Sequence, residues 1–187
     1  KNVPIGYTAL KLSISLPEQL DREMEKPVFM LNTTTLSGDF VPASGEIAFY
    51  KLKEPNRVFR KKSWDAPDRF TISQEEYYKL FPHDSYANEN DSRNWEKEKK
   101  VFTGHFDTGE VKELKLSDLN RWEIGKYVME MTSSDRYGNP VKEVNYFTLY
   151  SAKGKNTPAK ELGWFTVLKS VVEPGEAASF LLGSAEQ

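Results

Sequence analysis

Residues 122–149 read WEIGKYVMEMTSSDRYGNPVKEVNYFTL. Tyr127, Met129 and Met131 recur at every second position, which places them on one face of a strand. Residues 135–140, Asp-Arg-Tyr-Gly-Asn-Pro, concentrate turn formers. An Asp side chain bonds the backbone ahead of it, Gly accepts unusual backbone angles, and Pro interrupts a ladder. Residues 141–149 then complete a hairpin. The stretch predicts antiparallel β structure.

The same signal spreads outward. Residues 10–16, LKLSISL, alternate strictly between apolar and polar, and Pro17 ends the run. A polar, acidic connection (residues 18–26) follows. Residues 27–36, PVFMLNTTTL, are rich in β-branched and aromatic side chains and close on Ser37-Gly38-Asp39. Phe40-Val41-Pro42 leads through Ser44-Gly45 into a strand at 46–52, which ends at Glu54-Pro55. Strand patterning resumes at 101–106, turns at Gly109 and continues at 111–116. Seven short strands separated by turn signals predict a mainly β chain, an antiparallel seven-stranded β-sandwich of the fibronectin or Ig-like kind. Residues 1–152 form this sandwich domain, interrupted by an insertion at about 55–100. At roughly 25 cal/mol per Å² of buried apolar area, a domain of about 150 residues stands alone.

The insertion differs in character. It is charged, aromatic and poor in alternation. Ser73-Gln74-Glu75-Glu76 forms a capping box, in which the Ser73 hydroxyl accepts from the Glu76 N–H and the Glu76 carboxylate reaches back to the Ser73 N–H. A helix over 74–81 follows and stops before Pro82, with Tyr77, Leu80 and Phe81 as its apolar face. Residues 83–100 are polar, with Trp95 near the centre.

Residues 153–187 read as a Gly/Lys/Asn/Pro linker and then two apolar strands around Glu173-Pro174-Gly175-Glu176. Two strands do not bury enough surface to stand alone. They read as the first hairpin of a following, truncated sandwich domain, and the Lys1 start fits an internal slice of a longer protein. Such a hairpin either folds back on the main sandwich or pairs with another copy.

Bulk properties narrow the function classes. The 187 residues are 38% hydrophobic and 29% charged with a net charge of −2, which leaves no basic footprint for nucleic acid. No apolar run approaches the ~18 residues of a membrane span. No signal peptide is visible, and an internal slice would not carry one. The absence of cysteine removes disulfides, thiolate metal sites and Cys nucleophiles.

Three segments carry a family resemblance: residues 27–50 (from PVFML through TLSGDFVP to GEIAFY), residues 122–141 (WEIGKYVMEM, then DRYGNPV) and residues 172–180 (VEPGEAASF). In this order they resemble the macroglobulin-type sandwich domains of bacterial alpha-2-macroglobulin-like proteins. The resemblance covers most of the chain outside residues 55–100. It implies domains repeated in tandem within a large protease trap, located in the periplasm or at the cell surface. Neighbouring domains of the same chain are the implied partners, with proteases engaged through the parent. Members couple attackers through a thioester made from a C-x-E-Q motif; without Cys this chain cannot hold one. The implied role is that of a non-catalytic scaffold.

No residue is assigned a catalytic, cofactor-binding or metal-binding role, and the chain is read as not an enzyme. His83 and His105 lack partners at ligand spacing and read as structural or surface groups. No G-x-S-x-G elbow presents a serine. Glu75 and Glu76 suit a helix N-terminus. Asp84, Asn88, Glu89, Asn90, Asp91 and Asn94 form an oxygen-rich run that raises a Ca2+ question, but the EF-hand glycine position is Arg93. Trp64, Phe70, Tyr77, Tyr78, Phe81, Tyr86 and Trp95 either anchor the insertion on the sandwich or form a sugar platform or partner interface. The basic segment RVFRKK (residues 57–62) reads as a solvated loop, or as a docking point for a neighbouring domain. The alternative function, resting on Trp64 and Trp95, is a carbohydrate-binding accessory module of a secreted or surface enzyme.

Overall fold

The computed structural model describes residues 8–60 and 67–185. These residues hold ten strands: β1 (Lys11–Ile14), β2 (Gln19–Asp21), β3 (Val28–Thr34), β4 (Ser44–Leu52), β5 (Lys97–Asp107), β6 (Glu113–Lys115), β7 (Gly125–Ser134), β8 (Pro140–Tyr150), β9 (Trp164–Lys169) and β10 (Ser179–Gly183). One helix, α1 (Gln74–Leu80), and 3-10 turns at Ser92–Asn94 and Leu119–Arg121 complete them.

The strands form a three-stranded sheet in the order β1-β3-β6, a five-stranded sheet in the order β2-β8-β7-β4-β5, and a separate β9–β10 ribbon. One apolar cluster joins the first two sheets, so the chain is mainly β with a sandwich arrangement. Leu12, Phe29, Leu31 and Leu114 enter it from the smaller sheet; Ile47, Phe49, Met129, Met131, Phe147 and Leu149 enter from the larger. The expected face of β7 is the core face, with Tyr127, Met129 and Met131 fully buried. Phe49 sits among aromatic rings, with centroids 5.8 Å from Phe102, 5.6 Å from Trp122 and 6.0 Å from Phe147. Tyr127 stacks on Phe147 at 5.4 Å, and its hydroxyl donates to the Glu123 carbonyl at 2.6 Å, which satisfies the polar end of a buried ring. At Gly45 the strands approach so closely that a Cβ would lie 2.0 Å from the Thr132 carbonyl oxygen.

All seven expected strands are present, but the two main sheets also hold β2, within the stretch read as a connection. It pairs parallel to β8, with Leu20 opposite Leu149, so the arrangement is not purely antiparallel. Three residues with a single apolar side chain lie below what periodicity can detect. Leu20 is buried nonetheless, and the Thr148 N–H donates to the Glu18 carbonyl at 2.8 Å beside it.

The far end of the insertion is a second correction. β5 starts at Lys97, not 101; Lys97, Lys99 and Lys100 stand opposite β4, with the Lys97 and Lys100 ammonium groups 4.4 and 5.4 Å from the Tyr50 ring centroid and no side chain of this stretch buried. A lysine-rich edge carries no hydrophobic alternation, and it resists pairing with other chains. Residues 53–96 are thus the connection between two adjacent strands.

Residues 159–161, between the Gly/Lys/Asn/Pro stretch and β9, are held against other parts of the chain. Phe59 bridges to Glu161, the Phe59 N–H donates to the Lys160 carbonyl at 3.3 Å, and the Lys160 N–H donates to the Glu54 carboxylate. Lys126 pairs with Glu161 at 2.8 Å, and the Ala185 N–H donates to the Glu161 carbonyl at 3.0 Å. Leu52, Phe59, Val128, Tyr150, Ala159 and Trp164 are buried outside the main cluster, and among them Tyr150 meets Trp164 at 5.4 Å.

Candidate functional site

The insertion folds largely on itself. The Ser73 hydroxyl accepts from the Glu76 N–H at 3.2 Å and caps α1 as expected. The Phe81 N–H donates to the Tyr77 carbonyl at the helix end. No residue of α1 is buried, and Leu80 and Phe81 are exposed, so the expected apolar face does not pack into the sandwich. The aromatic rings engage one another instead. Phe70 stacks on Tyr86 at 4.0 Å, Tyr86 meets Tyr77 at 5.5 Å, and Tyr77 meets Phe81 at 5.1 Å. The Arg57 guanidinium lies 3.8 Å above the Tyr78 ring, and the Arg60 guanidinium pairs with Asp84, which is buried. Trp64, Lys61 and Lys62 lie outside the described residues.

The oxygen-rich run is spent on local structure. Glu89 accepts from Tyr78 Oη at 3.0 Å and from the Ala87 N–H at 2.8 Å, while its carbonyl accepts from Trp95 Nε1 at 2.7 Å. Asp91 accepts from the Arg93 guanidinium, whose hydrogen bonds hold its carboxyl below the usual carboxylate range. Among the described residues no three His, Asp or Glu side chains are grouped as a metal ion needs. His83 Nδ1 lies 3.3 Å from the Val58 carbonyl, and His105 stands opposite Glu46 on β5. The two histidines are not brought together.

The surface with the clearest unmet chemistry is the β9–β10 ribbon. Its turn places Pro174 before Gly175, whose φ of 96° is the left-handed conformation that favours glycine there. Phe165 stands opposite Leu182, and Val167 opposite Phe180. These four side chains share one face and are 50%, 73%, 46% and 57% exposed. The other face is covered at Trp164 and Thr166, which are buried, with Trp164 packed on Tyr150 at 5.4 Å, while Leu168 farther along stays exposed; the Gln19 side-chain amide donates to the Phe165 carbonyl at 3.1 Å. Fold-back, one of the two expected fates of the hairpin, therefore accounts for one face only.

No protein-family model matches this chain, and no curated protein matches it.

The candidate site thus rests on geometry. The uncovered face is a contiguous apolar patch of the kind that marks an interaction surface. Sequence reading found both strands and their turn. It did not find the pairing register that sets all four side chains on one side, because that needs the count of residues through the turn.

Proposed function

We propose that this chain is a non-catalytic structural and interaction module: a macroglobulin-type sandwich of a larger bacterial alpha-2-macroglobulin-like envelope protein, spacing and coupling its neighbours. In this reading β1 and β3 to β8 are the seven antiparallel strands of the macroglobulin frame, and β2 is an added edge. Residues 153–187 are the linker and opening hairpin of the next sandwich. The implied setting is the periplasm or cell surface, with proteases engaged through the parent protein.

The supporting observation is the uncovered face of Phe165, Val167, Phe180 and Leu182. It offers on the order of 400 Å² of apolar surface, about half of what one partner contributes to a stable interface between separate proteins. An area of that size favours a tethered partner, whose effective concentration is high, over a free one. A second β-layer with an apolar face, joined to the same chain, meets the need.

The test compares this chain with one extended by whatever its gene encodes after Gln187. The reading expects a higher melting temperature for the extended chain and slowed amide exchange at Phe165 and Phe180. Equal melting and equal exchange would refute it.

A further inference from the structure

Lys51 continues the inward-facing row of Ile47 and Phe49 on β4. Its neighbour across β7 is the core residue Tyr127, and its neighbour across β5 is Lys99. Two lysines directly opposite one another on paired strands repel and weaken the pairing. Lys100 and Arg121 join them in lining a recess of ≈ 300 Å³ at this end of the sandwich, together with Trp122, Tyr127, Asp118 and Glu123. The chain as a whole carries a net charge of −2, so this concentration of cations is local.

The recess holds a stand-in for an anion. The Glu123 carboxylate pairs with Lys51, and Glu98 approaches the same ammonium at 3.9 Å. The Lys51 hydrogen bond and charge, and more weakly the charge of Lys99, hold the Glu123 carboxyl below its usual range. Glu123 nevertheless comes from the solvent side: its side chain is 72% exposed, whereas that of Lys51 is 20% exposed. Among the described residues no carboxylate lies within ion-pair distance of Lys99 or Lys100. Arg121 pairs with Asp118 at 3.4 Å, on open surface where such a pair contributes little. The partly buried Lys51 is thus neutralised by an exposed, displaceable carboxylate, with Glu98 farther off, and Lys99 stands directly opposite it.

We propose that this recess is an oxyanion-binding site, which takes a carboxylate, sulfate or phosphate group through Lys51, Lys99 and Arg121 and displaces the Glu123 carboxylate as it does so. The aromatic sides of Trp122 and Tyr127 limit the water that competes for the anion and keep the local interaction stronger than on open surface. The site is independent of the scaffold reading and stands or falls by itself.

The experiment titrates the chain with sodium phosphate, sodium sulfate and sodium acetate at fixed ionic strength, with sodium chloride as control, following backbone and indole N–H signals. Saturable shifts at Lys51, Lys99, Arg121 and Trp122 with at least one oxyanion, and none with chloride, are expected. The acetate and phosphate arms distinguish a carboxylate from a phosphate preference. Glu123→Gln removes the internal competitor and tightens binding by about fivefold, while Lys99→Ala weakens it by a similar factor. Shifts that match the chloride control, or a Glu123→Gln chain that binds no tighter than the parent, would overturn the proposal. Glu123→Gln removes the pairing with Lys51 but leaves the Tyr127 hydroxyl bond intact, because Tyr127 bonds the backbone carbonyl of residue 123 and not its carboxylate.

Discussion

The carboxylate of Asp135 accepts a hydrogen bond of 2.9 Å from the backbone N–H of Ala9, tying the segment before β1 to the β7–β8 turn. The same carboxylate accepts from the N–H groups of Tyr137 and Asn139 at 2.9 Å each and from the Asn139 side chain at 3.1 Å. These donors, the Ala9 N–H first, hold the Asp135 carboxyl down to about 2. The folded value lies below the unfolded one, so the stabilisation is fully present above the ordinary carboxylate range near 4 and is lost as pH falls toward 2. Asp135→Asn is expected to lower the melting temperature at pH 7. The gap from the parent chain should narrow steadily between about pH 4 and pH 2. Thermal melts across that range check it, and a constant gap would contradict the assignment.

Gly45 lies on β4 opposite Ser133 of β7, with no room for a side chain. A methyl group there would lie 2.0 Å from a backbone oxygen, and backbone cannot move aside as a side-chain tip can. Gly45→Ala is expected to destabilise by about 3 kcal/mol, the upper end for overpacking, through a local break in the Gly45–Ser133 pairing. Denaturant melts measure the loss. A change below about 0.5 kcal/mol would show that the strands can part without penalty.

Ser73 caps a helix that buries nothing. Ser73→Ala removes a hydrogen bond of about 1 kcal/mol from α1. Because the helix contributes no core contact, the effect stays local: faster amide exchange across Gln74–Leu80 with an unchanged global melt. A global loss of the same size would mean that α1 is coupled to the sandwich more tightly than its exposure indicates.

What could be read from the chain, and what could not, follows the length of each pattern. The long alternating strands were legible because Tyr127, Met129 and Met131 repeat at the strand period and all reach the core. The α1 cap was legible because Ser73 and Glu76 form a local motif. β2 and the start of β5 were not, since their pairing rests on backbone hydrogen bonds beside exposed Gln19, Lys97 and Lys99. The hold on residues 159–161 was also hidden, because Glu54 and Lys160 are 106 positions apart and neither carries a motif. The lysine recess eluded sequence reading for the same reason: only the register sets Lys51 opposite Lys99.

The hold on residues 159–161 makes its own prediction. Phe59 is buried and bridges to Glu161, to which Ala185 beside the ribbon also bonds. Phe59→Ala is expected to remove about 3 kcal/mol of local packing and to speed amide exchange at Glu161 and Ala185 before the main sheets are affected. Uniform acceleration throughout β4 and β7 would place Phe59 within the main cooperative unit instead.

The ribbon face gives the sharpest contrast between burial and exposure. Trp164 and Thr166 are buried on one side; Phe165, Val167, Phe180 and Leu182 are exposed on the other. Phe180 meets the Phe165 ring at 5.8 Å, but both rings are about half exposed, so Phe180→Thr with Leu182→Ser should cost no more than about 1 kcal/mol per site, the size of a lost cross-strand pair. The loss of β-propensity at position 180 stays small because Thr, being β-branched, is itself a good strand former. Binding of a hydrophobic dye should fall and solubility should rise, since the patch is what the dye and other chains would meet. Trp164→Ala acts on the opposite face, where the ring packs on Tyr150, and is expected to destabilise the ribbon by about 3 kcal/mol. Dye binding and urea melts on the two variants decide the matter. A loss well above about 1 kcal/mol per site on replacing Phe180 and Leu182 would mean that this face is already covered in solution, by another copy of the chain, and sedimentation would then reveal the dimer.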